Sequence, residues 1–277
     1  MKTLGDVLKL SAKYLEDHGI KRAARDAEDL LAFVLNLKRL DLYMQFDRPL
    51  ESKELDLYRP LLKRKAAKEP LEYILGQVEF YHCKIRVTPD VLIPRQETEI
   101  LLDKVCKMVG NEKVAWDLCC GSGCLGLGLK KAMPQLDVTL ADMSDKALLV
   151  AQENASLNNL DVKFMQGDLL EPFKRQKADL IVCNPPYVSE EEYGQLDVEV
   201  KSEPKMALVA SNGGYAFYEK LALQLPEHLN SGGKAFFEIG ATQGEKVKTL
   251  FSKDCFKRKW VEKDWAGHDR FFFLEME

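Results

Sequence analysis

Apolar positions recur at helical spacing through the first quarter of the chain. Thr3 with Asp6 reads as a helix start, Leu4, Leu8 and Leu15 fall near one face, and Gly19 stops the run. Ala23, Ala27, Leu30, Leu31 and Val34 mark a second helix over about 22–36, and a third begins near Ser52. From Val78 the pattern changes to short strand-like pieces, Val78-Glu-Phe-Tyr and Cys83-Lys-Ile-Arg-Val, followed by the turn residues Thr88-Pro89-Asp90. A helix opens at Gln96 with Glu97 and Glu99 in its first turn and carries Ile100, Leu101, Leu102 and Val105.

After Gly110 strand-like and helix-like stretches alternate, the mark of a parallel sheet with helices on both faces. Strands are expected at 113–118, 137–142, 162–166, 179–183 and 233–239, with helices at about 123–132, 144–158, 214–229 and 241–252. Arg258 to Glu262 and Arg270 to Met276 read as two more strands. They lie too close for a crossover helix, so they should pair antiparallel. The pattern divides the chain into a helical domain over 1–75, a β-hairpin linker over 76–95 and an α/β domain over 96–277.

Composition narrows the class. With 277 residues and 46% hydrophobic content the chain can build a proper core. A net charge of -4 argues against coating nucleic acid by bulk electrostatics, and no direct nucleic-acid partner is expected. No apolar run approaches the length of a membrane span and the Met1-Lys-Thr-Leu start has no signal-peptide core, so a cytoplasmic, membrane-free monomer is the expectation. The seven cysteines follow apolar stretches and suggest reduced, buried thiols. Cys119, Cys120 and Cys124 cluster but have no second pair at zinc spacing, so no metal is expected. Lys63-Arg64-Lys65 with Lys68 makes a basic face on the third long helix, read either as solvated surface or as a docking site for a partner.

Two stretches carry chemistry. The apolar run Leu180 to Cys183 empties into Asn184-Pro185-Pro186-Tyr187, which can continue neither strand nor helix. The result is a rigid bay of acceptors. If the Asn184 side-chain oxygen and the Pro185 carbonyl each accept one N–H, a planar NH2 group is held with its nitrogen facing an incoming carbon. Tyr187 would then lie against that group as a platform and exclude water. The plainer reading is a proline-stiffened loop.

The second stretch is Asp117-Leu118-Cys119-Cys120-Gly121-Ser122-Gly123, which ends the first strand of the α/β domain and opens a helix. Its glycines let the backbone pass tightly beneath a ligand, and Asp142, ending the next strand, is placed for a ribose. Either a nicotinamide cofactor or S-adenosylmethionine would present a ribose there. Asp117 beside the glycines favours a cofactor with a cationic tail over a pyrophosphate, and the Asn184 bay has no role in hydride transfer. Asp168, in Gln166-Gly167-Asp168-Leu169, is placed to reach an adenine or to cap a turn.

The Asn184 to Tyr187 loop, Asp117-Leu-x-x-Gly-Ser-Gly123, Ala141-Asp142-Met-Ser144, Asn154-Ala155 and Gly167-Asp168-Leu-Leu-Glu-Pro172 together resemble the glutamine N5-methyltransferases of peptide chain release factors, the HemK type. Pro70-Leu-x-Tyr73-Ile-x-Gly76, Leu92-Ile-Pro-Arg95-x-Glu-Thr-Glu99, Glu203-Pro204, Glu238-Ile-Gly240 and Asp269-Arg270 extend the likeness over nearly the whole chain. The resemblance implies a Rossmann-like seven-stranded methyltransferase sheet behind a helical substrate-docking domain and a hairpin. It implies S-adenosylmethionine as cofactor and class I release factors as partners, methylated on the glutamine of their Gly-Gly-Gln motif. Carried over by position, Cys119 to Gly123, Asp142 and Asn184 fall on the cofactor site, and Asn184 to Tyr187 on the substrate site, with Asn184, Pro185 and Tyr187 as the catalytic set. Two alternatives share some of these motifs: an amino-methyltransferase of adenine or cytosine, and an NAD-dependent dehydrogenase. The chain departs from the family pattern in having Cys119-Cys120 for the common Gly-Thr, Gln96 for Pro, and Leu169 for an aromatic that some relatives place near the adenine.

Overall fold

The computed structural model describes residues 2–277. The chain divides into two units, residues up to Gly76 together with Asp197–Ser202, and Gln77–Leu196 with Glu203–Glu277.

The first unit contains α1 (Leu4–Asp17), α2 (Ala23–Leu35), α3 (Arg39–Met44), α4 (Ser52–Ala66) and α5 (Leu71–Leu75). Thr3 and Asp6 cap α1 reciprocally, each side chain accepting the other's backbone N–H at 3.2 and 3.1 Å, as their spacing predicts. Leu4, Leu8, Leu30, Leu31, Leu42 and Tyr58 are buried together, and the Tyr58 hydroxyl donates to the Ala27 carbonyl at 3.1 Å. The helices α3 and α5 are too short to show a period, so the sequence reading passes over them.

Half of the basic face at the end of α4 is consumed inside this unit. Lys65 is 2% exposed, with its ammonium 2.8 Å from Glu199 and 3.5 Å from Asp26. Arg64 is paired with Glu69 at 2.8 Å. Of the four, Lys63 and Lys68 remain exposed with no ion pair among the described residues. A run of cations looks solvated in a sequence because the carboxylate that buries one of them lies 134 residues away.

The second unit opens with a hairpin, β1 (Gln77–Phe80) and β2 (Cys83–Arg86), whose turn residues Tyr81 and His82 both take positive φ. After α6 (Gln96–Met108) come β3 (Val114–Leu118), α7 (Cys124–Ala132), β4 (Asp137–Asp142), α8 (Asp145–Leu157), β5 (Lys163–Gln166) and β6 (Ala178–Cys183). Four short helices follow, α9 (Glu190–Gln195), α10 (Val198–Lys201), α11 (Lys205–Leu208) and α12 (Ser211–Gly214), of which α10 lies in the segment counted with the first unit. The chain ends with α13 (Ala216–His228), β7 (Leu229–Glu238), α14 (Gly244–Leu250), β8 (Phe256–Lys263) and β9 (Asp269–Met276).

The sheet has seven strands in the order β5-β4-β3-β6-β7-β9-β8. Its first five are parallel, and β9 runs antiparallel to both β7 and β8, as the short tail connection requires. Phe271, Phe272 and Phe273 on β9 are fully buried, because the strand is covered on both faces. From β3 the chain moves outward through β4 and β5, then returns to place β6 on β3's other side. That reversal opens a crevice at the strand ends.

Two asparagines, Asn154 on α8 and Asn158 at its C-cap, hold the hairpin as a strand would. Asn154 accepts from the Arg86 N–H at 2.7 Å and donates to the Arg86 carbonyl at 3.0 Å, and Asn158 does the same for Lys84 at 3.0 and 2.7 Å. Asn154 also donates to the Ser122 carbonyl at 2.9 Å, so one buried amide joins hairpin, helix and glycine-rich loop.

Candidate active site

Leu118 and Cys183 are register partners at the ends of β3 and β6. The residues that follow them, Cys119 and Asn184, therefore leave the sheet side by side at the switch point. Cys119 takes φ +55, a left-handed conformation that favours glycine. The loop needs positive φ here, and the chain meets that need with a cysteine at some steric cost. Leu169, which follows Asp168, takes φ +52. Both line the cleft described below.

A cleft of about 650 Å³ runs along the strand ends and is bordered by Cys119, Gly121, Asp142, Asp168, Leu169 and Asn184. A smaller cavity of about 370 Å³ shares Leu92, Cys119, Gly121 and Asn184 with it and adds Thr98, Asp117, Cys120 and Ser122. Asn184 stands where the two meet. Asp142 is oriented by the backbone, its two carboxylate oxygens accepting from Gly121 at 2.8 Å and Ser144 at 2.9 Å. Burial raises its pKa, against the pull of those N–H groups. Asp117 is 1% exposed and accepts one N–H, from Gly126 at 2.8 Å. Burial pushes its carboxyl up to about 8, with the neighbouring Asp142 charge adding to the shift. A buried acid that holds its proton at neutral pH is ready to exchange that proton for a fixed cation.

The Asn184 to Tyr187 loop is braced from behind. The Asn184 amide nitrogen donates to the Thr98 hydroxyl at 3.2 Å, Thr98 donates to Glu238 at 2.6 Å, and the Tyr187 hydroxyl donates to the other Glu238 oxygen at 3.2 Å. Glu238 is 1% exposed, and desolvation raises its pKa while Thr98, Tyr187 and the Arg270 charge oppose the rise. Burial likewise pushes the Tyr187 hydroxyl up. Gln243 donates to the Tyr187 carbonyl at 3.0 Å. Gly214, at φ +91, passes so near that carbonyl that a β-carbon there would lie 2.3 Å from it.

The sequence itself was compared with known proteins. Residues 6–76 match the family model described as the PrmC N-terminal domain, and residues 96–203 match the methyltransferase small domain. The release factor glutamine methyltransferase of Chlamydia trachomatis serovar L2 is 42% identical over 97% of this chain and 93% of its own length. That of Geobacter sulfurreducens is 38% identical over 97% and 95%. The chain belongs to the release factor glutamine methyltransferase family. Among solved structures, a methyltransferase from Pyrococcus furiosus superposes with a TM-score of 0.54 at 20% identity, over 80% of this chain and 98% of that one, which fixes the fold.

As a member of this family the chain is an S-adenosylmethionine-dependent methyltransferase, and the crevice suits that cofactor: apolar walls from Met143, Ala147, Leu169 and Phe217, with the half-buried Asp142 and the buried acid Asp117 as its anionic groups. Of the residues the sequence singled out, Asp117, Cys119, Cys120, Gly121, Ser122, Asp142, Asp168, Leu169, Asn184 and Pro186 border one cavity or the other. Asp168 is also ion-paired with Lys220 at 2.5 Å. Gly123, Pro185 and Tyr187 border neither. Gly123 instead starts α7 at φ +79, where a β-carbon would meet Leu140 at 2.7 Å, so its role is to let the helix sit close on the sheet. Tyr187 packs against the sheet core with its hydroxyl on Glu238. Sequence reasoning missed Thr98 and Phe217 as residues of the site. The one signal for Thr98 was its place in the Leu92 to Glu99 segment; Phe217 has none, being one aromatic among the apolar positions of α13.

Proposed function

We propose that this methyltransferase acts on the side-chain amide nitrogen of the glutamine in the Gly-Gly-Gln motif of class I peptide chain release factors. The observation that carries the reading is the position of Asn184: it closes the strand end where the cofactor crevice and the smaller cavity meet, and it is braced from behind. Asn184 Oδ1 and the Pro185 carbonyl accept the two N–H groups of the substrate amide and turn its nitrogen towards the reacting carbon. An amide nitrogen is a poor nucleophile, and polarising both of its N–H bonds raises its reactivity without a strong base; as the nitrogen gains the methyl group and the bond from that carbon to the sulfonium breaks, it gives up one N–H proton to solvent. The two prolines keep the acceptors fixed. Tyr187, expected from the sequence to lie against the amide, packs on the sheet core instead and holds the loop on Glu238.

S-adenosylmethionine supplies an electrophilic methyl group. Asp142 would accept from its ribose hydroxyls, Asp117 would balance the charge of its amino-acid end, and Cys119 to Ser122 would pass beneath it. Asp168, Leu169 and Phe217 would hold its adenine, Phe217 offering the aromatic face that position 169 lacks. The first unit docks the protein substrate, and the chain works as a monomer.

The test is transfer of a labelled methyl group to a purified release factor. Incorporation should vanish when the glutamine of its Gly-Gly-Gln motif is replaced by asparagine. Equal incorporation into the replaced substrate, or into duplex DNA, would overturn the reading.

A further inference from the structure

Asn184 can hold a substrate NH2 only with its oxygen end. Turned over about its terminal bond, the same side chain would set one NH2 against another, two donors facing each other, and the bay would repel what it should bind. An amide has nearly the same shape either way round, so a neighbour must decide between the two orientations. That neighbour is Thr98. A hydroxyl has one proton, and that of Thr98 is spent on Glu238 at 2.6 Å. Glu238 receives the Tyr187 hydroxyl on its other oxygen, and these two donors with the Arg270 charge favour its carboxylate form against burial, a form with no proton to give back. Thr98 therefore offers Asn184 only a lone pair, and the group that answers it at 3.2 Å is the Asn184 NH2. Asn184 Oδ1 accepts from no protein donor among the described residues, and it is left for the substrate.

We propose that Glu238 and Thr98 form a polarity relay that fixes the Asn184 amide with its oxygen towards the substrate nitrogen. This rests on the reading of Asn184 as the acceptor for that nitrogen. Both are positioning residues, acting through Asn184. The relay draws on three element ends: Thr98 from the first turn of α6, Glu238 from the last position of β7, and Asn184 just beyond β6. Thr98 and Glu238 are 2% and 1% exposed, so water does not compete for their hydrogen bonds. The preceding turn is fixed too, because buried Glu203 pairs with Arg95, the N-cap of α6, and accepts the Ile93 N–H at 2.9 Å. The Glu97-Thr98-Glu99 and Glu238-Ile239-Gly240 segments, noticed in the sequence without a role, thereby acquire one.

The test is a double-mutant cycle in the full-length enzyme, with saturating S-adenosylmethionine and a purified release factor. Thr98→Val keeps the shape of the side chain and removes the relay, and should lower kcat by about tenfold, the loss of one oriented hydrogen bond. Cofactor affinity should stay within about twofold, since this contact does not reach the cofactor. Thr98→Ser should restore most of the turnover. In an Asn184→Ala background Thr98→Val should cost nothing further, because the group it orients is gone. Glu238→Gln, which keeps the shape and can return a proton to Thr98, should also lower kcat and should not add to Thr98→Val. A Thr98→Val enzyme with unchanged kcat, or one whose loss multiplies with that of Asn184→Ala, would overturn the relay while leaving Asn184 in its role. If Asn184→Ala itself leaves kcat unchanged, the reading beneath the relay falls, and the relay falls with it.

Discussion

Cys119 and Leu169 sit in left-handed backbone on the wall of one cleft, where glycine would be easier. A non-glycine residue held there costs on the order of 1–2 kcal/mol, against about 0.5–1 kcal/mol of added chain entropy when glycine replaces it. Cys119→Gly should therefore raise stability by up to about 1 kcal/mol, read as a rise of a few degrees in melting temperature. Cys119→Ala retains the strained φ and should give no gain. Asp117 makes a pH prediction. Its folded pKa of about 8 lies above the ordinary 3.8, so its contribution to the stability of the cofactor-free protein is fully present below pH 3.8 and is lost as pH rises through about 8. A cation bound beside it should displace its proton. Calorimetry of S-adenosylmethionine binding at pH 7 in buffers of different ionisation enthalpy should then show proton release, and identical heats in all buffers would remove Asp117 from the site. At this scale the sequence discloses which side chains carry the chemistry. It does not disclose φ, so the strain at 119 and 169 becomes visible only in the folded chain.

At the scale of elements, legibility followed periodicity. The long helices and the sheet strands could be read because each repeats its apolar positions often enough to show a period. The short helices α9 to α12 could not, since four to six residues contain barely one turn. The hairpin turn Tyr81-His82 lacks the Asn-Gly signature its positive φ values would normally require, and only the flanking strands gave it away. How the hairpin is held was also hidden, because Asn154 stood out only as part of the Asn154-Ala155 likeness and Asn158 is one polar residue at a helix end. Asn154→Ala strands the Arg86 and Ser122 groups it now satisfies and should destabilise the protein by on the order of 2–3 kcal/mol in urea denaturation. Because Ser122 belongs to the glycine-rich loop, cofactor affinity should fall as well. Denaturation midpoints unchanged from the parent protein would contradict the bridging role. Gly214→Ala should lower turnover more than stability, since its new methyl would press on the Tyr187 carbonyl and shift the Asn184 loop.

At the scale of the whole molecule, the fold class was legible because strand and helix alternate and the tail does not. The division of the chain was less so. Asp197–Ser202 belongs with the helices of the first unit although 120 residues on its N-terminal side belong to the second, and a linear reading has no means to see this. The buried Lys65 ammonium is the physical reason, pairing with Asp26 and Glu199 within that unit. Lys65→Met leaves Asp26 buried without its cation and should cost about 3 kcal/mol or more of stability by thermal or denaturant unfolding. Lys63 and Lys68 are the cations of α4 and its end left unpaired among the described residues for the proposed docking of a protein substrate. Reversing both charges should raise KM for a release factor at low salt and leave kcat intact. An unaltered salt dependence would leave those two lysines as solvated surface.

The central claim is that the Asn184 bay receives a glutamine amide. Its most direct test is fragmentation mass spectrometry of a purified release factor after reaction with this enzyme and S-adenosylmethionine. A single added methyl group on the side-chain nitrogen of the Gly-Gly-Gln glutamine, absent from the product of the Asn184→Ala enzyme, is the predicted result. A methyl group on any other residue, or the same product from the Asn184→Ala enzyme at an undiminished rate, would contradict it.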